Sequence, residues 1–457
     1  MTIGRRKLLA FGAAGAGTLM FPGARPSFAN RAAAADPHFF LLIMMGGGAD
    51  AAYTYDARPL SMTAAGRVHN YLGEQPGLLR GRNGGTLLAT KLTWPLIRLQ
   101  DRFSVLNGVV MTPSFDGHLQ NVNFLLTGDP FGGESFVPHL NLATARRPAD
   151  LLDAVVPTNP IVSNVINDAR MVPLRPESAG GLAQQLRGVA AFRQGDELMD
   201  FIKSRVAANA RGPGRLSAGA AKMEVGLNDA AEMHSRLARI QSPDEDWNAE
   251  DKSVSLMAQC FRLGIARSAV YQLPENFDTH SPDEAKKHPQ LLASAISRMV
   301  DLFDALIETP YDAKRSMLDV TTVMVATEFT RTLRSSDAPV GNTGTHHNQY
   351  CNTIWLGGKG IKPGLVIGAS DLADEKQAAS KAHLSVDPNL ERAVGRPFDF
   401  ATLKPRDDSP DTFDVGNHLT VASVINTVYS LFDVPRDRWR MLGRNLPVAP
   451  ALDGLRA

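Results

Sequence analysis

The chain has 457 residues, of which 44% are hydrophobic and 21% charged, a balance typical of a globular protein with a large core. Its formal net charge is +1 and its basic residues are scattered, which argues against binding to nucleic acid or to an anionic membrane surface. Only two cysteines are present, Cys260 and Cys351. They could form one disulfide, but they exclude a metal site built from thiolates alone.

The first 29 residues have the pattern of an export signal. A basic cluster at residues 5–7 precedes an apolar run rich in glycine and alanine. This run is too short to span a bilayer comfortably, which takes about 20 residues. Paired arginines before such a run are typical of a twin-arginine signal, and small residues before Asn30 predict cleavage there. We therefore expect the twin-arginine export machinery to deliver residues 30–457 to the periplasm or the medium without stable membrane insertion. An uncleaved anchor is the alternative.

Residues 38–45, HFFLLIMM, form a continuous apolar run that predicts a central strand of a parallel sheet. Three glycines follow at 46–48, but their spacing does not match the G-x-G-x-x-G loop of dinucleotide-binding proteins. We interpret them as a sharp turn that leaves Asp50 at the carboxyl end of the strand. A turn aspartate that only satisfies its own loop is the competing interpretation.

A second strand is predicted at 103–111, with Thr112 and Ser114 in the loop after it and a helix from about His118 to Leu126. A hydroxyl between a strand and a helix is where a nucleophile would gain from the helix N-terminus. Such hydroxyls also serve as ordinary N-caps. His118 either reaches the same cleft or simply begins the helix.

Residues from about 180 to 250 are rich in Ala, Leu, Gln and Arg with helical spacing. They predict a helical insertion or cap. Beyond it, a strand at 269–273 leads to Asp278 and His280. Side chains two positions apart on an extended segment point the same way, so this pair suits one metal ion. Hydrogen bonding within a loop is the alternative. An amphipathic helix follows from His288.

The stretch 320–348 opens with an apolar, β-branched run that predicts a buried strand. It stops at Glu328, and a polar loop then leads to His346 and His347. Ligands of open α/β sheets bind outside the carboxyl ends of the strands, so these groups are candidates for a metal or phosphate site. A surface acid and two solvated histidines are the alternative. Further strands are predicted at 351–356 and 365–367, and a helix ends before Pro435.

Four motifs stand in order along the chain, namely GGGAD at 46–50, NFDTH at 276–280, ATEFTRT at 326–332 and GNTGTHH at 341–347. Together with the signal they resemble an exported bacterial family related to sulfatases and alkaline phosphatases, the domain of unknown function number 1501. The resemblance covers essentially the whole mature chain. It implies one α/β domain over residues 30–457, an alkaline-phosphatase/sulfatase-like sandwich with a largely parallel central sheet and the helical insertion.

The resemblance also implies a set of metal ligands, which comprises Asp50, Asp278, His280, Glu328 and His347. The chain departs from the family pattern at several positions. Thr330 replaces a glycine, His346 replaces an aspartate, Asn348 replaces a glycine, and Gly117 stands where a serine or an acid often precedes the histidine. His346 either replaces the lost acid as a further ligand or turns outward, and we expect it to line the same cleft.

These features predict a hydrolase of phosphate or sulfate esters that uses a divalent metal. Oxygen and imidazole donors suit zinc or manganese better than calcium. Thr112, Ser114 or an activated water would be the nucleophile, with His118 in the same cleft. A non-catalytic periplasmic binding or assembly protein that retains the fold is the alternative, because one fold hosts many functions. A third interpretation, a nucleotide-binding oxidoreductase, is supported only by the glycine triplet at 46–48.

Overall fold

A computed structural model of the protein describes residues 36–64, 72–111, 117–131, 135–142, 154–156, 171–173, 235–236, 239–241, 243, 246–333, 345–372, 392–407, 415–440 and 448–457. Three of the sequence predictions lie outside these ranges. They are the export signal, the two candidate hydroxyls Thr112 and Ser114, and nearly all of the helical insertion.

The strands are β1 Phe39–Gly46, β2 Gly77–Arg80, β3 Thr86–Ala89, β4 Phe103–Asn107, β5 Ala154–Val156, β6 Met171–Pro173, β7 Ser268–Asn276, β8 Thr321–Thr327, β9 Thr330–Arg331, β10 His347–Asn348, β11 Thr353–Gly358, β12 Val366–Ile367, β13 Ser370–Leu372, β14 Ala393–Gly395, β15 Phe398–Asp399 and β16 Lys404–Pro405. The helices are α1 Leu60–Ala64, α2 Trp94–Ile97, α3 His118–Thr127, α4 Phe136–Leu142, α5 Ala249–Arg262, α6 Pro282–Glu308 and α7 Val421–Leu431.

The centre of the protein is an eight-stranded sheet in the order β12-β4-β11-β8-β1-β7-β5-β6. Only β11 runs antiparallel to its neighbours in this sheet, so the predicted largely parallel α/β sheet is confirmed. All eight residues of β1 are buried. Its apolar run has no polar face because helices cover both sides of the sheet.

Alternate residues of β1 belong to two separate hydrophobic clusters. Phe39, Leu41 and Ile43 pack with side chains of α5 and α6 on one side of the sheet. Phe40 and Leu42 pack with side chains of α3, α4 and α7 on the other side. The described residues therefore form three layers, with helices on both faces of one sheet.

Two predicted elements have different bounds in the structure. The second strand was predicted to reach residue 111, but β4 ends at Asn107 because Gly108 turns the chain with a φ of 72°. A Cβ at Gly108 would lie 2.0 Å from the carbonyl oxygen of Ala369, so only glycine fits this turn. The amphipathic helix begins at Pro282, ahead of the predicted start, because Ser281 and Glu284 form a capping box.

Both cysteines are free thiols that are buried in different hydrophobic clusters. Cys260 lies on α5, whereas Cys351 lies just before β11, with its sulfur 3.5 Å from a carboxylate oxygen of Asp56. Among the described helices, none combines the length and the apolar character needed to cross a membrane.

The strands β1, β7 and β8 end together at one edge of the sheet. Gly46 is paired with Asn276 on β7, and Met45 is paired with Thr327 on β8. The loops that follow the three strands therefore meet at this carboxyl edge, where ligands of parallel sheets bind.

Candidate metal centre

Four side chains at the carboxyl edge bring possible metal ligands to one point. His118, Asp278, His280 and His347 each offer one ligand atom, and these atoms all lie within 4.8 Å of one another. We call them the four-donor group. His118 is the first residue of α3, Asp278 and His280 follow β7, and His347 begins β10. Segments that are far apart in the sequence thus converge on one site.

The spacing of the donors matches the coordination shell of a small cation. An oxygen of Asp278 lies 3.0 Å from Nε2 of His118 and 3.0 Å from Nε2 of His280. The Nε2 atoms of His280 and His347 are 2.9 Å apart. In a tetrahedral site with metal–nitrogen bonds of about 2.0 Å, neighbouring ligand atoms are separated by about 3.3 Å. These three distances are close to that value, and the remaining pairs of donor atoms lie within 4.8 Å.

The chemistry of the donors also favours a cation between them. An oxygen of Glu328 lies 3.0 Å from Nδ1 of His118, and a carboxylate oxygen in this position accepts a hydrogen bond from that nitrogen. A neutral His118 ring therefore turns the lone pair of Nε2 toward the carboxylate of Asp278, and these groups repel unless a proton or a cation lies between them. Within the described residues, Nδ1 of His280 is buried without a hydrogen-bond partner.

Glu328 lies behind the four-donor group rather than within it. Its side chain is 1% exposed and accepts hydrogen bonds from the amide of Gly47, at 2.7 Å, and from the hydroxyl of Thr327, at 3.1 Å. It also holds Nδ1 of His118. A carboxylate in this position fixes the tautomer and the orientation of a metal-binding imidazole and increases its basicity. The sequence resemblance had implied that Glu328 is itself a ligand.

Arg331 holds the aspartate of the group in its charged form. The guanidinium is fully buried and donates to Asp278 at 2.8 Å, to the carbonyl of Gly48 at 3.2 Å and to the carbonyl of Gly47. Burial acts to raise the pKa of Asp278, but the hydrogen bond from Arg331 and the positive charge of this guanidinium act against burial, and the pKa lies below its usual value. Asp278 is therefore a carboxylate at neutral pH.

The imidazole of His280 is held in the neutral form that binds metals. Burial lowers the pKa of His280, and the positive charge of Arg331 lowers it further, although Asp278 acts in the opposite direction. A neutral imidazole keeps a lone pair for a cation. Sequence reasoning had not assigned a role to Arg331. The sequence offers one signal for this role, namely a basic residue three positions after Glu328 and just beyond the buried strand β8.

Residues 157–387 match the protein family described as "Protein of unknown function (DUF1501)", and this match spans just over half of the chain. The chain belongs to this family. The matched region contains Asp278, His280, Glu328 and His347, whereas His118 lies before it. No match to a curated protein was found.

The glycines of this DUF1501 protein form the sharp turn that the sequence predicted. Gly47 and Gly48 have φ values of 100° and 80°. A Cβ at Gly48 would lie 2.3 Å from the ring of Phe329. That ring packs against the imidazoles of both His118 and His347, with centroid distances of 4.7 and 4.3 Å. Larger residues at the turn would therefore disturb the packing that supports the site.

The remaining predicted site residues lie beside the four-donor group or outside the described residues. Asp50 is buried, and one of its oxygens accepts from the amide of Ala52 at 2.9 Å, as in the competing interpretation of a turn aspartate. The ring of His346 is 6.2 Å from that of His280, and its amide donates to Thr332. Neither residue belongs to the group. Thr112 and Ser114 fall in the undescribed residues that precede α3.

We expect the substitution Glu328→Gln to weaken zinc binding by about 10- to 100-fold, as is usual when a carboxylate behind a histidine ligand is changed. The amide keeps the volume of the side chain but lacks the charge that stabilises the Nδ1 proton of His118. Competition with a chromophoric chelator would measure the Kd. Glu275→Gln is the matched control, because Glu275 is a buried carboxylate on β7 that bonds Ser294 and Arg298 instead. Equal zinc affinity in Glu328→Gln and the wild type would contradict the assigned role.

Proposed function

We propose that this DUF1501 protein is a metal-dependent hydrolase of phosphate or sulfate esters, and that the four-donor group binds its divalent cation, zinc or manganese. The observation that carries the proposal is the group itself, in which one carboxylate and three imidazoles converge within 4.8 Å. Such a mixture of oxygen and nitrogen donors suits these two metals. The position at the carboxyl edge of a parallel sheet is where α/β proteins bind their ligands.

The exposure of the site favours a catalytic centre. The side chains of His118, Asp278 and His280 are 32%, 38% and 31% exposed, so solvent and a substrate can reach the donors. Structural zinc sites are closed by their four protein ligands, whereas catalytic sites keep a position open. A site on the rim of the sheet therefore fits a metal that must contact a substrate.

The charges around the group favour an anionic substrate. Three acidic residues, Asp278, Glu328 and Asp50, interact with the charge of the fully buried Arg331. A divalent cation would add two positive charges at the exposed rim of the site. Because its guanidinium is not exposed, Arg331 acts on a substrate through its field rather than by contact. A cation that contacts the substrate directly favours a phosphate or sulfate ester over a neutral ester.

The residues of the chain have distinct tasks in such a reaction. Arg331 keeps Asp278 ionised, Glu328 orients His118, and Phe329 packs against two of the imidazoles. A bound divalent cation would polarise the ester and stabilise the charge that develops in the transition state. Thr112 and Ser114 precede α3 in the sequence and remain the candidate nucleophiles, because the N-terminus of a helix favours an anionic nucleophile.

We further propose that the fold is related to the sulfatase and alkaline phosphatase sandwich, and that the twin-arginine machinery exports the protein to the periplasm. The three layers around a largely parallel sheet support the first part. The pattern of residues 1–29 supports the second.

The test is metal analysis of protein purified without chelator, combined with assays on p-nitrophenyl phosphate and p-nitrophenyl sulfate. We expect about one zinc or manganese ion per chain, and hydrolysis of one ester that EDTA abolishes and the metal restores. A protein that holds metal but hydrolyses neither ester would overturn the hydrolase. It would favour the alternative, a non-catalytic binding protein in which the four donors would hold a cation with no position left open for a substrate. A protein that holds no metal after reconstitution would overturn the metal site as well.

A further inference from the structure

His288 is a buried histidine outside the four-donor group and outside the four motifs on which the family resemblance rests. It lies on α6, is 2% exposed and packs near the rings of Tyr53 and Phe277. In the sequence it appears only as part of an amphipathic helix. Its two ring nitrogens contact two different loops at the carboxyl edge of the sheet, and this arrangement needs an explanation.

The hydrogen bonds of His288 fix its tautomer. The amide of Asp50 donates to Nε2 of His288 at 2.8 Å. A backbone amide can only donate, so this nitrogen carries the lone pair and Nδ1 of the neutral ring carries the proton. Nδ1 lies 3.0 Å from the hydroxyl oxygen of Thr279, to which it therefore donates.

The chain of hydrogen bonds continues from Thr279 to Thr345. The hydroxyl of Thr345 donates to the carbonyl oxygen of Thr279 at 2.8 Å. A hydroxyl has a single proton, so the hydroxyl of Thr279 must donate across the 3.1 Å that separate the two hydroxyl oxygens. The amide of Thr345 also donates to the carbonyl of Thr279, at 3.2 Å. Every direction in this chain is determined.

The three residues join the segments that carry the metal donors. Thr279 stands between Asp278 and His280, and Thr345 stands two positions before His347. Both threonines are almost completely buried. The antiparallel pair of β9 and β10, which also holds this segment, is only two residues long on each strand. The hydrogen bonds to Thr279 are therefore a substantial part of what places His347 opposite His280.

We propose that the chain His288–Thr279–Thr345 is a positioning device that sets the 2.9 Å distance between the imidazoles of His280 and His347 and thereby the affinity of the site for its cation. The proposal rests on the metal site proposed above. The three residues do not touch the cation. They fix the backbone from which two of the donors project, as residues behind metal ligands commonly do.

Threonine-to-valine substitutions separate this role from simple packing, since valine keeps the shape of the side chain and removes only the hydroxyl. We expect Thr279→Val and Thr345→Val each to weaken zinc binding by about 10- to 100-fold. The variants Thr279→Ser and Thr345→Ser should restore most of the affinity because they keep the hydroxyl. The double valine variant should be no weaker than the weaker single variant, because both remove the same chain.

Thr427→Val is the matched control. Thr427 is a buried threonine on α7 whose hydroxyl donates to the carbonyl of Ser423 and accepts from the amide of Leu452. The helix α7 lies on the opposite side of the sheet from α6, where its apolar side chains pack with those of α3 and α4. Loss of the Thr427 hydroxyl should lower stability without changing the zinc Kd of the folded protein.

Hydrogen exchange tests the positioning role without metal. Peptides covering residues 345–350 should exchange faster in Thr279→Val than in the wild type.

The outcomes distinguish the two proposals. If the wild type binds zinc and the valine variants at Thr279 and Thr345 bind it equally well, the positioning role is wrong and the metal site stands. Unchanged hydrogen exchange at 345–350 in Thr279→Val would also overturn the positioning role. An equal loss of affinity in Thr427→Val would show that the effect is only one of overall stability. If the wild type binds no zinc, the metal site fails, and the positioning role fails with it.

Discussion

The variant His347→Ala is expected to lose stoichiometric metal binding while the protein stays folded. His347 supplies one of the four donors, and its Nε2 lies 2.9 Å from that of His280. Removing a direct ligand should weaken zinc binding by more than the roughly 100-fold that marks the upper range for residues behind a ligand. The bound metal would be measured on purified protein by mass spectrometry, and the fold would be followed by circular dichroism.

His346→Ala is the matched control for this experiment. His346 and His347 are neighbours with identical side chains, but the ring of His346 lies 6.2 Å from that of His280 and is not in the four-donor group. We expect His346→Ala to keep its metal. Retention of metal by His347→Ala would contradict the assignment of the four-donor group as the metal site. Loss of metal in both variants would instead make His346 a ligand, as the sequence had predicted.

The substitution Arg331→Met is expected to lower the free energy of unfolding by about 3 kcal/mol, at the lower end of what is lost when one partner of a buried ion pair is removed. The carbonyls of Gly47 and Gly48 would lose their donor. Asp278 is 38% exposed and can recover some hydration, which is why we expect the lower end. Urea unfolding of protein treated with EDTA would measure the change without any contribution from bound metal.

Arg315→Met provides the control for Arg331→Met. Arg315 also pairs with carboxylates, those of Asp36 and Asp312, but it is exposed, and exposed pairs contribute about 1 kcal/mol or less. Similar losses in the two variants would contradict the role of Arg331.

The dependence of stability on pH provides a second test of the role of Arg331. The pKa of Asp278 is lowered, so its contribution is present above its unfolded pKa of about 3.9 and is lost as the pH falls through the folded value. That acid-dependent contribution should shrink in Arg331→Met.

The buried strands and part of the site could be predicted from the sequence. The apolar runs that became β1 and β8 have no polar face, which is expected only for strands covered on both sides. Asp278 and His280 were predicted as a pair because alternate side chains on an extended segment point the same way. Both are in the four-donor group.

The arrangement around these donors could not be predicted, because it depends on contacts between distant segments. Glu328 follows a strand as a ligand would, but the structure places the ring of His118 between Glu328 and Asp278. Arg331 bonds the turn at Gly47 and Gly48, which lies far away in the sequence. No local periodicity encodes such partners. The role of His288 could not be predicted for the same reason, because a buried polar residue on an amphipathic helix has no distinct sequence pattern.

The direction of β11 determines how His347 reaches the site. Because β11 runs against β8 and β4, the chain enters it at the edge where β1, β7 and β8 end. His347 therefore precedes its strand, whereas Asp278 and His280 follow theirs, and only residues 349–352 lie between β10 and β11. Sliding β11 by one residue along β8 would displace the attached imidazole by about 3.3 Å, which is longer than a metal–nitrogen bond. A cation held by all four donors would therefore stabilise a single register of β11 on β8. A change of that register would release the cation.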